Sequence, residues 1–441
     1  MSVSTLYNHI KRFQNRRKKE KQQKKEEKEL LKEQELLEKE KLQRKIESDK
    51  QKDKDFFEYL PAAYNEHKNE PIDENKILFV ERRYTELTNS FIVLYDYLIE
   101  NYNFDIHVHY LDEIAAERQD YIENCRKMLI DMATAKCVFL TDANEAVSCV
   151  DKREETIVVQ LWHGCGAFKK FGMSTADLIF GGDSNEQLRH PTYKNNNIIT
   201  VSSPEVIWAY SEAMNIPESE GIIKPLGISR TDVFFDENFA QKARKKLYEK
   251  YPFTKDKKII LYAPTFRGRV KNAKSPTRLS LGLMHYVLSE EYVVLLNLHP
   301  LIQERPKIAN HLSNFAADVT GEMTIDELIA ISDICISDYS SMVFEYSLMN
   351  KPMIFFAFDI ENYLDWRGFY YEYDELTPGP VLTDTEEVVD YIKDIDNLFD
   401  PDEVKRFREK FMSSCDGNST KRILEEAFGV ETLKKHQKKG E

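Results

Sequence analysis

The sequence predicts an α/β protein of two doubly wound domains that face a cleft, preceded by a long charged helix. Three observations carry this. Short apolar runs of strand length alternate with helical or polar stretches from Lys76 to Phe356, the pattern of parallel βαβ units. The runs fall into two series, linked through a charged helical stretch, Phe239 to Tyr251. Histidines and a hydroxyl-rich turn directly follow several of the runs, where doubly wound sheets place their ligands.

Residues 1 to 54 are rich in Lys, Glu and Gln, and no Gly or Pro interrupts them. This is a long solvated helix whose apolar positions (Leu30, Leu31, Leu36, Leu37, Leu42, Ile46) are too sparse for a regular heptad. Its first half is basic (Lys11, Arg12, Arg16, Arg17, Lys18, Lys19, Lys21, Lys24, Lys25). Such a cluster suits an anionic membrane face, at ~1 kcal/mol per charge. A merely soluble helical tail is the equal alternative.

A globular region begins near Pro71. Strands are expected at Lys76–Val80, Ile106–Leu111, Lys136–Leu140, Thr156–Leu161, Ile198–Ser202 and Ile222–Leu226, with helices at Ser90–Tyr102 and Pro204–Met214. The second series runs Lys258–Ala263, Tyr292–Leu298, Asp318–Val319, Ile334–Ile336 and Met353–Phe356. Expected domains are a helical extension over 1–57 and two Rossmann-like domains over 71–235 and 255–428.

The 441 residues carry a formal charge of −14, which argues against a general nucleic-acid binder. Six scattered cysteines without a CxxC pair fit reduced, mostly buried thiols in a cytosolic protein. No stretch approaches the ~18–20 apolar residues of a membrane span, and the N-terminus lacks a secretory apolar core.

The most informative segment is Ser337-Asp338-Tyr339-Ser340-Ser341-Met342-Val343-Phe344-Glu345. Strand, hydroxyl-rich turn and helix in succession can hold a phosphate, with Ser340 and Ser341 as donors. Glu345, one turn on, is placed to accept hydrogen bonds from a ribose. The alternative is a serine-capped helix with a capping-box acid. Trp162-His163-Gly164-Cys165-Gly166 follows another strand, and His163 there suits general-base work. Lys169 and Lys170 can attract anions. A packed Trp-His corner is the alternative. Asn297-Leu298-His299-Pro300 repeats the arrangement in the second series. Thr265, Arg267 and Arg269 can supply donors to a phosphate or diphosphate, or form a solvated basic loop. Arg367, beside Gly368 and flanked by aromatics, can clamp a phosphate with its fork.

The ordered set WHGCGAFKKFG, APTFRG, LHP, SDYSSMVFEYSL and RGFYY resembles the CDP-glycerol glycerophosphotransferase family, the teichoic-acid polyol-phosphate primases and polymerases, over roughly Lys76 to Phe428. The resemblance implies a GT-B-like fold and transfer of a polyol phosphate from CDP-glycerol or CDP-ribitol to an acceptor hydroxyl, releasing CMP. The acceptor would be lipid-linked or a polyol-phosphate polymer, at the inner face of the cell membrane. It implies catalytic roles for His163 and His299. It also implies that Ser340, Ser341 and Arg367 hold the donor diphosphate, Thr265, Arg267 and Glu345 being the further donor-site candidates. The first domain would then take the acceptor and the second the CDP donor. Many relatives have Asp where Glu345 stands, and the loop after His163 is closer to polymerase-like and ribitol-type members. The charged helix replaces the membrane-docking or helical-repeat region of some relatives. No resident metal is expected, since no paired carboxylates stand at a strand end; a magnesium ion bridging the donor is compatible with the sequence. Two competing readings are a GT-B sugar transferase using a nucleotide sugar and a non-catalytic scaffold.

Overall fold

Runs of Val, Ile, Leu and Phe become strands because branched and aromatic side chains pack well on a pleated surface. The computed structural model describes residues 3–438 except 179–180, 269–272, 277, 301, 303, 361–362 and 364–367; within residues 3–29, only side chains 22, 23 and 28 are described. The strands are β1 (Asp73–Glu81), β2 (Asp105–Tyr110), β3 (Ala135–Leu140), β4 (Ile157–Gln160), β5 (Ile198–Thr200) and β6 (Ile223–Lys224). The second series is β7 (Lys258–Tyr262), β8 (Tyr292–Leu296), β9 (Ala316–Asp318), β10 (Ile334–Ser337), β11 (Met353–Phe356) and β12 (Val381–Leu382). They form two six-stranded sheets of order β2-β1-β3-β4-β5-β6 and β12-β11-β10-β7-β8-β9. Neighbours run parallel throughout. Parallel pairing requires crossovers, which is why helices separate the strands and their faces are buried. Strand order reverses between β1 and β3 in one sheet and between β7 and β10 in the other. These two switch points are where an open parallel sheet leaves a crevice.

The expected strands are present, several trimmed at their ends. β12 was not anticipated. It is two residues long at a sheet edge with Val381 exposed, so it leaves no apolar run to read.

The chain divides into two compact units, residues 1–62 and 63–441. In the first, a single helix spans Val3–Lys54, and Leu30, Leu31, Leu36, Leu37, Leu42 and Ile46 are exposed on it. Both sheets belong to the second unit. One expectation about its lobes is corrected. The helix Ser419–Phe428, assigned from sequence to the second domain, packs on the first sheet, as does Val430–His436. Ile423, Leu424, Ala427, Phe428 and Leu433 share a core with Ile77, Phe79, Cys137 and Phe139. Asp232, between the lobes, fixes the start of that helix by accepting the amides of Ser419 and Thr420 at 3.0 and 2.8 Å. The six cysteines are free, and Cys149 is the half-buried one. Among the described residues no helix is long and apolar enough to cross a membrane.

At the outer edge of the first sheet, Asp131 gathers three nitrogen groups: Lys76 at 2.8 Å, His107 at 2.7 Å and His109 at 2.9 Å. Burial opposes the His107 charge, but Asp131 and Asp105 outweigh it and raise the pKa. Burial likewise opposes the Asp131 charge, and His109, Lys76 and His107 overcome it, depressing the pKa. The raised His107 pKa stabilises the fold fully below about pH 6.5, and that contribution is lost as pH rises through the folded value. The depressed Asp131 pKa stabilises above about pH 4 and is lost as pH falls. Replacing Asp131 with Asn should therefore destabilise more at about pH 5.5 than at about pH 8.5. Urea unfolding of both proteins at the two pH values tests this; equal losses would refute the coupling.

Candidate functional site

The crevice of the second sheet opens between the ends of β7 and β10, and the chain stitches it closed at its base. Asp338, which opens the turn after β10, is buried and accepts from the Thr265 amide and hydroxyl at 2.8 and 3.0 Å. The same carboxylate accepts the Tyr339 amide at 2.6 Å. Arg267 lies against it: Nη1 is 2.9 Å from Asp338, while Nε and Nη2 grip both oxygens of Asp359 at 2.6 and 2.9 Å. Burial opposes the guanidinium charge, but Asp359 and Asp338 more than offset it and raise its pKa. Tyr339 donates its hydroxyl to Asp359 at 3.0 Å and stacks on Tyr363 with ring centres 3.8 Å apart. Arg267 faces the rings of Tyr339, Tyr363 and Phe358 at 5.1, 5.5 and 5.5 Å. Cation–π contact and bidentate pairing together hold the guanidinium plane in one place.

This arrangement corrects the expectation for Thr265 and Arg267. Their donors serve Asp338 and Asp359, so both residues shape the crevice as it stands rather than offering a diphosphate a vacant grip. Ser340 and Ser341 are placed differently. Ser340 is half-buried and its hydroxyl oxygen accepts the Met342 amide at 3.4 Å. Ser341 begins the helix Met342–Ser347, is exposed, and makes no capping bond with its side chain. The capping-box alternative thus fails here, and the turn presents hydroxyls to solvent.

Glu345 is also corrected. Its side chain is 2% exposed and points inward, where it pairs with Arg230, which also reaches Asp326 at 3.2 Å. Burial raises the Glu345 pKa against the pull of Arg230. A carboxylate enclosed in this way supports the turn from beneath and does not meet a ribose. Arg367 and Arg269 lie outside the described residues. His299, after β8, is exposed and meets the Phe266 ring edge-on at 4.9 Å, so it stands beside the Thr265–Arg267 segment.

His163 belongs to the first sheet, in the loop after β4, the neighbour of β3. Its Nδ1 is 2.8 Å from the Thr141 carbonyl oxygen. A carbonyl only accepts, so Nδ1 carries the hydrogen and Nε2 of the neutral ring is left with a lone pair. The ring is exposed and stacks on Trp162 at 4.4 Å. Trp162 has φ +60, unusual for a bulky residue, and its amide is held by the Gln160 side chain at 3.2 Å. The bland reading, a packed corner, is right for Trp162; His163 itself projects from that corner.

The loop after His163 then crosses to the second lobe. Gly166 has φ +60, and a Cβ there would lie 2.3 Å from the Phe344 ring, so only glycine permits the approach. Phe168 packs on Phe344 and Phe369. Lys169 pairs with Phe369 in an antiparallel bridge, and the Lys170 amide donates to the Gly368 carbonyl at 3.2 Å. Lys169 Nζ comes 5.4 Å from the centre of the Tyr363 ring, at the Arg267 cluster. The structure therefore brings Lys169, Thr265, Arg267, Tyr339 and Tyr363 together, with His299 alongside.

Sequence reasoning missed Asp359, Tyr339 and Tyr363 as site architecture, and the Arg230–Asp326 support. Asp338 and Tyr339 stood inside the quoted motif but read as turn. Nothing local marks Asp359 or Arg230, whose partners lie 92 and 115 residues away. Among the described residues no group of three or more His, Cys, Asp or Glu is arranged to hold a metal ion.

Against known proteins, residues 62–429 match the family model for CDP-glycerol:poly(glycerophosphate) glycerophosphotransferase. The chain is 34% identical over 369 residues to a teichoic acid poly(ribitol-phosphate) polymerase of Bacillus spizizenii, covering 82% of this chain and 58% of that protein. It is 33% identical to a teichoic acid ribitol-phosphate primase of the same species, covering 80% of this chain and 91% of the primase. The solved structure of a variant of the wall teichoic acid polymerase TagF superposes with a TM-score of 0.70 at 22% identity, over 90% of this chain and 97% of that one. At that identity the likeness establishes the fold: two facing doubly wound lobes.

Proposed function

The chain belongs to the CDP-glycerol:poly(glycerophosphate) glycerophosphotransferase family, and from that premise we propose that it transfers a polyol phosphate from a CDP-polyol to an acceptor hydroxyl and releases CMP. The observation that carries the reading is the crossing loop. It begins at an imidazole with an available Nε2 and ends paired against the second lobe's switch-point crevice. A base on one lobe and an anion-holding turn on the other are the two parts such a transfer needs.

The donor diphosphate lies over the β10 turn, held by the Ser340 and Ser341 hydroxyls, with Lys169 and Arg367 adding positive charge. Arg267, fixed by its carboxylates, sets the shape of the crevice and the position of Tyr339 and Tyr363. The acceptor hydroxyl approaches from the first lobe. His163 Nε2 takes its proton as the oxygen attacks the β-phosphorus. The bond from that phosphorus to the bridging oxygen breaks, and CMP departs with the electron pair. His299, in its charged form, offsets the charge on the leaving CMP. The proton passes from His163 to solvent after the product leaves. Positioning and fixed positive potential supply most of the acceleration in phosphoryl-type transfer.

A donor panel tests this. CMP should be released from CDP-glycerol or CDP-ribitol in the presence of lipid-linked or polymeric acceptors, with a matching mass increase in the acceptor. Release of UDP from a UDP-sugar, with none of CMP, would replace this reading with sugar transfer. No turnover with any donor would leave a scaffold.

The basic first half of the N-terminal helix suits the anionic inner face of a membrane, where such an acceptor would be found. The full chain should sediment with anionic vesicles and be released by salt, while a chain lacking residues 1–27 should not sediment. Equal binding to zwitterionic vesicles would sink the electrostatic account.

A further inference from the structure

The first lobe contains a cavity of about 340 Å³ that the transfer chemistry above does not use. It lies under the segment that follows the crossing loop and against the end of the helix Ile207–Met214. Its walls are fixed. Gly172, with φ +54, sits directly on that helix, because a Cβ would come 2.1 Å from the Ala213 carbonyl oxygen. The Thr192 carbonyl accepts the Asn144 amide at 3.1 Å, and Asn215 ends the helix in the left-handed conformation.

The lining has two chemistries. Met173, Tyr193 and Ile216 offer apolar and aromatic surface, while Gln187, Thr192 and Asn215 offer amides and a hydroxyl. The charged groups are mostly compensated. Lys194 pairs with Asp151 at 2.9 Å, His190 pairs with Glu145 at 2.7 Å, and Glu220 adds a negative charge at the rim. Such a lining offers a phosphate no cation without a carboxylate partner. It suits an uncharged polyhydroxylated ring, whose C–H face packs on Tyr193 and Met173 while its hydroxyls meet the amides. The volume is in the range of small-molecule sites, about 300–1,000 Å³.

The cavity is joined to the reactive group through one side chain. The Trp162 indole stacks on His163, and its ring centre is also 6.2 Å from that of Tyr193, a cavity wall. We infer that this cavity is a recognition subsite for a neutral sugar ring of the acceptor, held behind the hydroxyl that His163 deprotonates. The acceptor role rests on the transfer reading above; sugar binding by the cavity does not.

The test is direct binding to the full chain by saturation-transfer NMR. The probes are methyl glycosides of hexoses and N-acetylhexosamines, with glycerol 3-phosphate as the charged comparison and CDP-glycerol as the donor control. At least one neutral glycoside should bind and glycerol 3-phosphate should not compete with it. Thr192→Trp, which fills the cavity, should weaken that glycoside at least about tenfold. Gln187→Ala, which leaves the cavity open, should weaken it several-fold. His163→Ala should leave it unchanged, and CDP-glycerol should bind all of these proteins alike. Absence of glycoside binding, preference for glycerol 3-phosphate, or undiminished glycoside binding by both cavity variants would overturn the subsite. Loss of CDP-glycerol binding alone would count against the transfer reading and leave the subsite standing.

Discussion

Replacing His163 with Ala should lower turnover by about 10²–10⁴-fold while leaving CDP-polyol binding nearly intact. The geometry makes the loss specific. Thr141 supplies a carbonyl to Nδ1 and so fixes the tautomer, leaving Nε2 as the acceptor of a proton. Alanine removes that acceptor without altering the β10 turn or the Arg267 cluster in the other lobe. Single-turnover CMP release and calorimetric titration with CDP-glycerol separate the two effects. Normal turnover, or a parallel loss of donor affinity, would remove His163 from the role of base.

The largest stability effect is expected at Arg230. Its guanidinium lies almost wholly buried between Asp326 and Glu345, and Asn89 of the first lobe also bonds Asp326, at 3.1 Å. Burial opposes the Arg230 charge, but the two carboxylates raise its pKa. Arg230→Met should cost about 3–5 kcal/mol, because it leaves two enclosed carboxylates facing each other without a counter-charge. Glu345→Gln should cost less, since Arg230 keeps Asp326. The double variant Arg230→Met/Glu345→Gln should be less damaged than the sum of the single changes, one of the stranded charges having gone. Urea denaturation of the four proteins decides the point, and strict additivity would show that the three groups are not acting as a unit.

Much of the fold could be read in advance because a parallel strand buried on both faces leaves a continuous apolar run. β7, β8, β10 and β11 are all of this kind. The expected boundary at 428 puts the helix Ser419–Phe428 with the wrong sheet for an equally physical reason. An amphipathic pattern such as Ser419–Phe428 announces that one face is buried, and says nothing about which surface covers it. The site was legible only in outline. Strand ends marked His163, His299 and the Ser340–Ser341 turn as positions beyond a sheet's carboxyl edge. The orientation of charged side chains was not legible. Arg267 and Glu345 read as ligand contacts because their partners, Asp359 and Arg230, are distant along the chain. The tautomer of His163 depends on a backbone carbonyl, which any residue at position 141 would carry.

The return of the C-terminal helices to the first sheet has a consequence for biosynthesis. β1 and β3 leave the ribosome before the second lobe, and the side chains that cover them, Ile423, Leu424, Phe428 and Leu433, leave only after it. One side of the amino-terminal lobe thus stays uncovered throughout translation of its companion. The nascent chain carries that apolar face until the second lobe has been made, which turns these late helices into a fastener for the lobe made before it.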